Sequence, residues 1–358
     1  MTPADHASTP ARTLQVGLVG FGYASATFHA PLLAATPGLR LAAVASTAPD
    51  KVRAAFPEAQ VCATAAALYA RDDIDLVVIA TPNDTHFPLA RQALEAGKHV
   101  VVDKPFVLDT AQARELIALA DARSLRLSAF HNRRWDGDFM TVGRLVADGT
   151  LGRITHFESH FDRYRPQVQA RWREAGGAGG GLWYDLGPHL LDQALQLFGR
   201  PASIWLDLAR QRDGALADDW FHAVLGYGNM RAILHASALT ATPAPRFTMH
   251  GTLGSYVKHG LDMQETALRA GAALAGGWSV DTSDGQLALN SAQGLVERRH
   301  PTLPGAYLDY YAQMRDAILR GAPVPVSAES AHEVLALIEA GIASAQEARV
   351  ITLPPAAK

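Results

Sequence analysis

Two stretches of the chain carry side chains able to move a proton at a carbon-bound oxygen. Lys104 stands between Asp103 and Pro105, directly after the apolar run 99–102. An ammonium held at the end of a strand could donate to a substrate hydroxyl and help lower its pKa. Locally the same lysine also fits a surface pair with Asp103. The second stretch, residues 179–189, reads GGGLWYDLGPH. Its glycines allow a sharp entry into a helix, and Asp185 and His189, four residues apart, share one helix face. Oxidising an alcohol requires a proton to leave the hydroxyl as hydride leaves the carbon. A histidine titrating near neutrality suits that task, and a carboxylate can orient it and stabilise its charged form. On local sequence the stretch also fits a plain helix start, with Asp185 as cap and His189 packed on Trp183. Asp185, His189 and Asp192 are metal-ligand types too. A site would need His131, His156 or His160 from afar, no ligand-spacing signature accompanies them, and the expectation is no metal.

Such chemistry needs a hydride carrier, and the first strand-turn-helix of the chain offers a place for one. Residues 14–19, LQVGLV, read as a buried parallel strand, and GFGYAS at 20–25 opens a helix over 26–35. Gly20 turns the chain, Gly22 lets bare backbone approach a pyrophosphate, and Ser25 takes the place of a third small residue between helix and strand. Phe21, Tyr23 and Ala24 complete the candidate dinucleotide loop, and the helix N-terminus aims its N–H groups at the phosphates. A second strand at 39–45 ends in Ser46 and Thr47, where a carboxylate would repel a 2′-phosphate and hydroxyls would not. Lys51 and Arg53 follow, so NADP is favoured over NAD, although residues 46–49 also read as a helix-start loop. Strands at 76–80, 99–102 and 125–130 alternate with helices, the order of a doubly wound sheet. Their carboxyl ends place Thr81, Pro82, Asn83 and His86, then Asp103 and Lys104, then Asn132 and Arg133, around one crevice.

After about residue 134 the pattern changes. Short strand-like segments at 154–164, 202–210, 221–227, 231–239, 246–250 and 255–258 argue for a large, mostly antiparallel open sheet. Helices at 185–198, 306–319 and 328–347 would cover it or return to the first half. The expected class is α/β, with a Rossmann domain at 13–134 and an α+β domain at 135–358. Residues 1–12 read as a disordered tail. Hydrophobic residues are 48%, charged residues 19% and net charge −3, which points away from nucleic acid and membrane surfaces. The single Cys62 excludes an internal disulfide and suggests a reducing, cytoplasmic setting.

Taken together, GFGYAS, Asp103-Lys104-Pro105 and DLGPH at 185–189 resemble the Gfo/Idh/MocA family of nicotinamide-dependent oxidoreductases, from about residue 14 to 353. HNRRWDGDF at 131–139 and the segment 163–174 look like the branch containing the NADP-dependent scyllo-inositol dehydrogenase. The resemblance implies interconversion of a secondary alcohol and a ketone on an inositol, sugar or related polyol. It implies Lys104, Asp185 and His189 as the catalytic trio, with His189 accepting the proton. It also implies a homodimer or homotetramer built through the C-terminal sheet. Asp103 stands where the family usually has glutamate, and Thr47 where the NADP-type branch often has arginine, which keeps NAD open. Tyr164, Arg165 and Trp172, with Arg163, Gln169, Asp162 and His160, offer donors and acceptors for a polyol. Trp172 could stack on a sugar face, wall off the nicotinamide or serve domain packing. Two other functions fit the motifs: a redox-neutral, glycosidase-like reaction on tightly bound NAD, and an NADP-sensing regulator.

Overall fold

The computed structural model describes residues 12–177 and 179–354. The tail expected at 1–12 lies outside the described residues except for Arg12, which pairs with Asp75. The first half forms a parallel six-stranded sheet in the order β3-β2-β1-β4-β5-β6. Its strands are β1 (Leu14–Val19), β2 (Leu39–Ala45), β3 (Gln60–Cys62), β4 (Leu76–Ile79), β5 (His99–Val102) and β6 (Leu127–Ala129). The chain winds from β1 out to β3, then crosses back to lay β4 on the other flank of β1. That reversal opens a crevice at the carboxyl ends of β1 and β4, the position where open α/β sheets bind ligands. The near-continuous branched apolar runs are buried on both faces, as a sheet covered by helices requires.

The helix after GFGYAS begins differently from expectation. Ser25–His29 forms a π-helical turn that continues into α1 (Ala30–Ala35). The remaining helices of this half are α2 (Pro49–Ala55), α3 (Ala65–Tyr69), α4 (His86–Glu95) and α5 (Thr110–Ala122). Helix α6 (Gly137–Ala147) then leads to a nine-stranded sheet. Its strands are β7 (Ile154–His160), β8 (Ser203–Ala209), β9 (Trp220–Tyr227), β10 (Met230–Ser237), β11 (Phe247–Gly251), β12 (Gly254–Lys258), β13 (Gly285–Ser291), β14 (Gly294–His300) and β15 (Ile351–Thr352). All its pairings are antiparallel except β7 with β10. Strands β13 to β15 went unread: β14 is LVERRH-rich and nearly all exposed, so it lacks apolar alternation, and β15 has two residues.

One face of this sheet is covered by α7 (Gly181–Phe198) and α10 (Ala328–Glu347). Helix α8 (Gln264–Arg269) is a short polar helix that the sequence pattern did not reveal, and α9 (Tyr307–Arg320) packs against α1. Tyr307, Tyr310, Tyr311, Val326 and Leu335 join the apolar core of the first sheet. The three tyrosine hydroxyls have partners there. Tyr307 donates to Asp136 (2.6 Å), Tyr310 donates to the Ala129 carbonyl (3.0 Å), and Tyr311 lies 2.6 Å from His29. Segments from both ends of the chain thus fix the wall of the crevice. No helix among the described residues is long and apolar enough to cross a membrane.

Candidate active site

Two adjoining cavities lie at the carboxyl edge of the parallel sheet. The first, about 520 Å³, is lined by the Gly20–Ala24 loop, Ser46, Thr47, Thr81, Pro82, Asp103, Trp172 and Arg173. Gly20 has φ +89°, and a Cβ there would meet the Ala80 carbonyl oxygen at 2.5 Å, so the turn demands glycine. A Cβ on Gly22 would meet nothing within 4 Å, which leaves bare backbone facing the cleft. Ser25 is fully buried with its Oγ 3.4 Å from the Ala80 carbonyl, a packing role between helix and strand. The cleft, its bare glycine turn and its hydroxyl-lined far end fit a dinucleotide.

Some residues expected at the dinucleotide lie elsewhere. His86 is buried with its ring nitrogens 2.8 Å from the Pro105 carbonyl and 3.0 Å from the Thr81 carbonyl. Asn83 donates to the Gly179 carbonyl at 3.0 Å. Both fasten loops at the strand ends and do not line the cleft. Ser46 accepts the Ala48 N–H at 3.0 Å, closing a turn just before α2, while also facing the cleft. Arg53 pairs with exposed Asp50 at 3.0 Å, and neither it nor Lys51 reaches the lining. The guanidinium that does is Arg173, stacked over the Trp172 ring at 4.7 Å.

The second cavity, about 380 Å³, is lined by Lys104, Asn132, Arg133, Arg163, Arg165, Asp185, His189 and Glu265, and shares Tyr23, Ala24, Asp103 and Arg173 with the first. Lys104, on the loop after β5, donates to the Asp185 carboxylate at 2.8 Å and to the Asp185 carbonyl at 2.7 Å. Pro188 inside α7 lacks the N–H that the Tyr184 carbonyl would otherwise receive, one residue before Asp185. Arg173 and Arg163 lie 3.5 and 4.0 Å from the same carboxylate. Burial alone would raise the Asp185 pKa, but Lys104 and then the two arginines hold it far below the usual carboxylate range. Asp103 behaves likewise: burial opposes ionisation, yet His29 and Lys104 hold it at about 2.

His189 is 4% exposed, and its Nδ1 is buried without a hydrogen-bond partner in the protein. Burial, then the charges of Lys104 and Arg133, push its pKa well below the ordinary value. The imidazole is therefore neutral at neutral pH and able to accept a proton.

The entry to α7 differs from the expectation that Asp185 begins the helix. The helix starts at Gly181, where φ is +89°. Asp218 supplies the cap, its carbonyl accepting the Leu182 N–H at 2.8 Å and its carboxylate the Trp183 N–H at 2.7 Å. Asp185 is thereby freed to face the cavity. Trp183 packs on Phe221 and donates to the Ile338 carbonyl at 3.2 Å, rather than against His189. Asp192 makes a two-pronged pair with Arg134 at 2.8 and 2.6 Å, so its carboxylate does not join Asp185 and His189.

Of the residues expected at the substrate, Arg165 lines the second cavity, Trp172 lines the dinucleotide cleft, and Tyr164 is 60% exposed and lines neither. Tyr164 pairs through its backbone with Leu239 instead. The Gln169 N–H is taken by Glu174 at 2.9 Å. Glu265 was missed. It accepts from Tyr23 at 2.9 Å and from Arg133 at 2.8 Å, and so ties the glycine loop to the substrate side. Only the fold brings α8 to that position, and nothing near Glu265 in sequence signals it.

Residues 14–131 match the oxidoreductase family model for an NAD-binding Rossmann fold, and residues 144–353 match that family's C-terminal alpha/beta domain. The chain is 53% identical over 341 residues to the uncharacterized oxidoreductase YdgJ of Escherichia coli, covering 95% of this chain and 99% of that protein. It is 36% identical over 344 residues to the scyllo-inositol 2-dehydrogenase (NADP(+)) IolW of Bacillus subtilis, covering 95% and 96%. A solved oxidoreductase structure from Yersinia pestis superposes with a TM-score of 0.93 at 52% identity, over 98% of this chain and 99% of that one. A glycine-turned dinucleotide cleft opening onto a lysine, a carboxylate and a neutral histidine, in a chain matched along both halves, makes this protein a dehydrogenase or reductase of the Gfo/Idh/MocA oxidoreductase family.

Proposed function

We propose that the protein interconverts a secondary alcohol and a ketone on an inositol, a sugar or a related polyol, with NADP as the preferred coenzyme. The observation that carries this reading is the placement of Lys104, Asp185 and His189 in one cavity that shares a wall with the dinucleotide cleft. When bound, the nicotinamide accepts or supplies the hydride. The remaining chemistry belongs to the chain. His189, held neutral, takes the hydroxyl proton as the carbonyl forms and returns it in the reverse direction. Lys104 donates to the reacting oxygen, where negative charge grows as the proton leaves. Asp185 fixes the position of the Lys104 amine. Asp103, which lines both cavities and accepts the Lys104 backbone N–H at 2.7 Å, holds that loop against the cleft.

The cavity wall supports this substrate class: Arg163, Arg165 and Asn132 line it with donors, and several ring hydroxyls would supply acceptor oxygens. Ser46 and Thr47 at the far end of the cleft leave room for a 2′-phosphate, and the similarity to an NADP(+)-dependent inositol dehydrogenase supports the same choice. The face of the nine-stranded sheet opposite α7 is the surface through which we expect copies of the chain to associate.

A screen of inositols and aldoses with NADP and NAD, followed at the nicotinamide absorbance, tests the proposal. Turnover of at least one polyol, faster with NADP, is the expected result. Stoichiometric coenzyme binding with no reduction across the panel would favour a sensor. Coenzyme that co-purifies and never exchanges would favour redox-neutral chemistry.

A further inference from the structure

The open face of the nine-stranded sheet carries a cluster that the catalytic cavity does not use. Along β7, Phe157 and Ser159 point into the covered side, so His156, Glu158 and His160 point the other way, and Asp162 continues that row. The single parallel pairing of the sheet sets His235 of β10 level with His160 of β7, and the two rings lie with centroids 5.1 Å apart. We propose that His160, Asp162 and His235 form a binding site for one divalent transition-metal ion of borderline softness, zinc being the best match.

The distances leave room for a cation among these groups. His160 Nδ1 lies 3.6 Å from one Asp162 oxygen, and His235 Nε2 lies 3.5 Å from the other. These gaps are too long for hydrogen bonds. Each ends on a different carboxylate oxygen, and each is within a few tenths of an ångström of the roughly 3.3 Å edge of a tetrahedron whose centre sits about 2.0–2.1 Å from its ligands. One candidate ligand atom from each of the three residues lies within 4.8 Å of the others. Two of these atoms, His160 Nδ1 and Asp162 Oδ1, are buried and have no hydrogen-bond partner. The Asp162 side chain is only 3% exposed, so it is shielded from bulk solvent.

An outer carboxylate can orient the His160 ring as well. His160 Nε2 lies 3.1 Å from Glu158, whose other oxygen is 2.7 Å from His156 Nε2. A proton on His160 Nε2 donated to Glu158 leaves the Nδ1 lone pair aimed at the Asp162 carboxylate. In that tautomer a cation between the ring and the carboxylate relieves the repulsion, either a bound metal ion or a second proton on Nδ1. With a metal ion there, the arrangement reproduces the carboxylate–histidine–metal relay in which an outer acid orients the ligating ring. Two imidazoles and one carboxylate suit zinc, cobalt or nickel better than magnesium or calcium, and leave a fourth position for water.

The test uses the full chain without a histidine tag, stripped of metal with a chelator and titrated with Zn²⁺ against a micromolar chromophoric chelator. One equivalent bound per chain is expected, and Co²⁺ in its place should give visible d–d absorption. Asp162→Asn and His235→Gln should abolish stoichiometric binding and the cobalt spectrum while leaving coenzyme binding unchanged. Glu158→Gln, which keeps all three ligands, should weaken zinc roughly ten- to a hundredfold and decides the matter if either ligand variant fails to fold. Wild-type protein that does not compete for zinc, or variants that bind as wild type does, would overturn the proposal.

Discussion

Replacing Lys104 with methionine removes an ammonium but keeps a side chain of similar length. Lys104 is 15% exposed at its side chain and donates twice to Asp185, at 2.8 and 2.7 Å. If it also donates to the reacting oxygen, the loss is that of one charge-assisted hydrogen bond, about 1.5–3 kcal/mol, which corresponds to a turnover roughly ten- to two-hundredfold lower. Asp185 is not orphaned by the change, because Arg173 and Arg163 remain 3.5 and 4.0 Å away. The fold should therefore lose only about 1 kcal/mol. Lys104 lines the substrate cavity and not the dinucleotide cleft, so NADPH affinity should stay within about threefold. Initial rates with the best polyol, a fluorescence titration of NADPH and a thermal melt separate the three effects. A Lys104→Met variant with turnover within about twofold of wild type and unchanged coenzyme binding would refute the role given to the amine.

Other perturbations probe the remaining parts of the site. His189→Ala should lower turnover by about a hundredfold or more with coenzyme affinity nearly intact, and a near-normal rate would remove it as the proton acceptor. The acid limb of kcat/KM in wild type should have its midpoint below 6.5, because burial and then Lys104 and Arg133 hold His189 neutral; a midpoint above 7 contradicts that assignment. Ser46→Asp keeps an acceptor for the Ala48 N–H but sets a carboxylate at the far end of the cleft. It should shift the NADP/NAD preference toward NAD by about tenfold, and an unchanged ratio would misplace the 2′-phosphate. His86, His131 and His189 are buried with pKa values below their unfolded value near 6.5. Below that pH the unfolded chain binds protons that the folded chain refuses. Denaturant midpoints should therefore fall between about pH 7.5 and about pH 5.5, and a rise across that interval would contradict the directions given.

Much of the catalytic half was legible because its signals are local. The strand at 99–102 has the bounds expected of it, and the glycine turn works as its residue types require. What escaped depends on partners distant in the chain. Asp185 looked like a helix cap because the true cap, Asp218, comes from the loop before β9. Lys51 and Arg53 looked close to the coenzyme because they follow Ser46, but α2 turns them outward, whereas Arg173 arrives from the second half. Tyr164 and Trp172 read alike as sugar-facing aromatics, yet the Leu239 backbone pairing leaves Tyr164 at the surface and the 3-10 turn at Trp172–Glu174 directs Trp172 to the dinucleotide cleft. The pairing of His160 with His235 depends on a parallel register that spacing alone does not encode.

The most direct test of the account follows the hydrogen itself. A polyol that turns over, labelled with deuterium at the carbinol carbon, is incubated with wild type and His189→Ala, and the label is located by mass spectrometry of the coenzyme. The account predicts deuterium on the nicotinamide ring in wild type, and the same destination at a much lower rate in the variant. Product formed with the label released to water, or with the coenzyme never labelled, would contradict it.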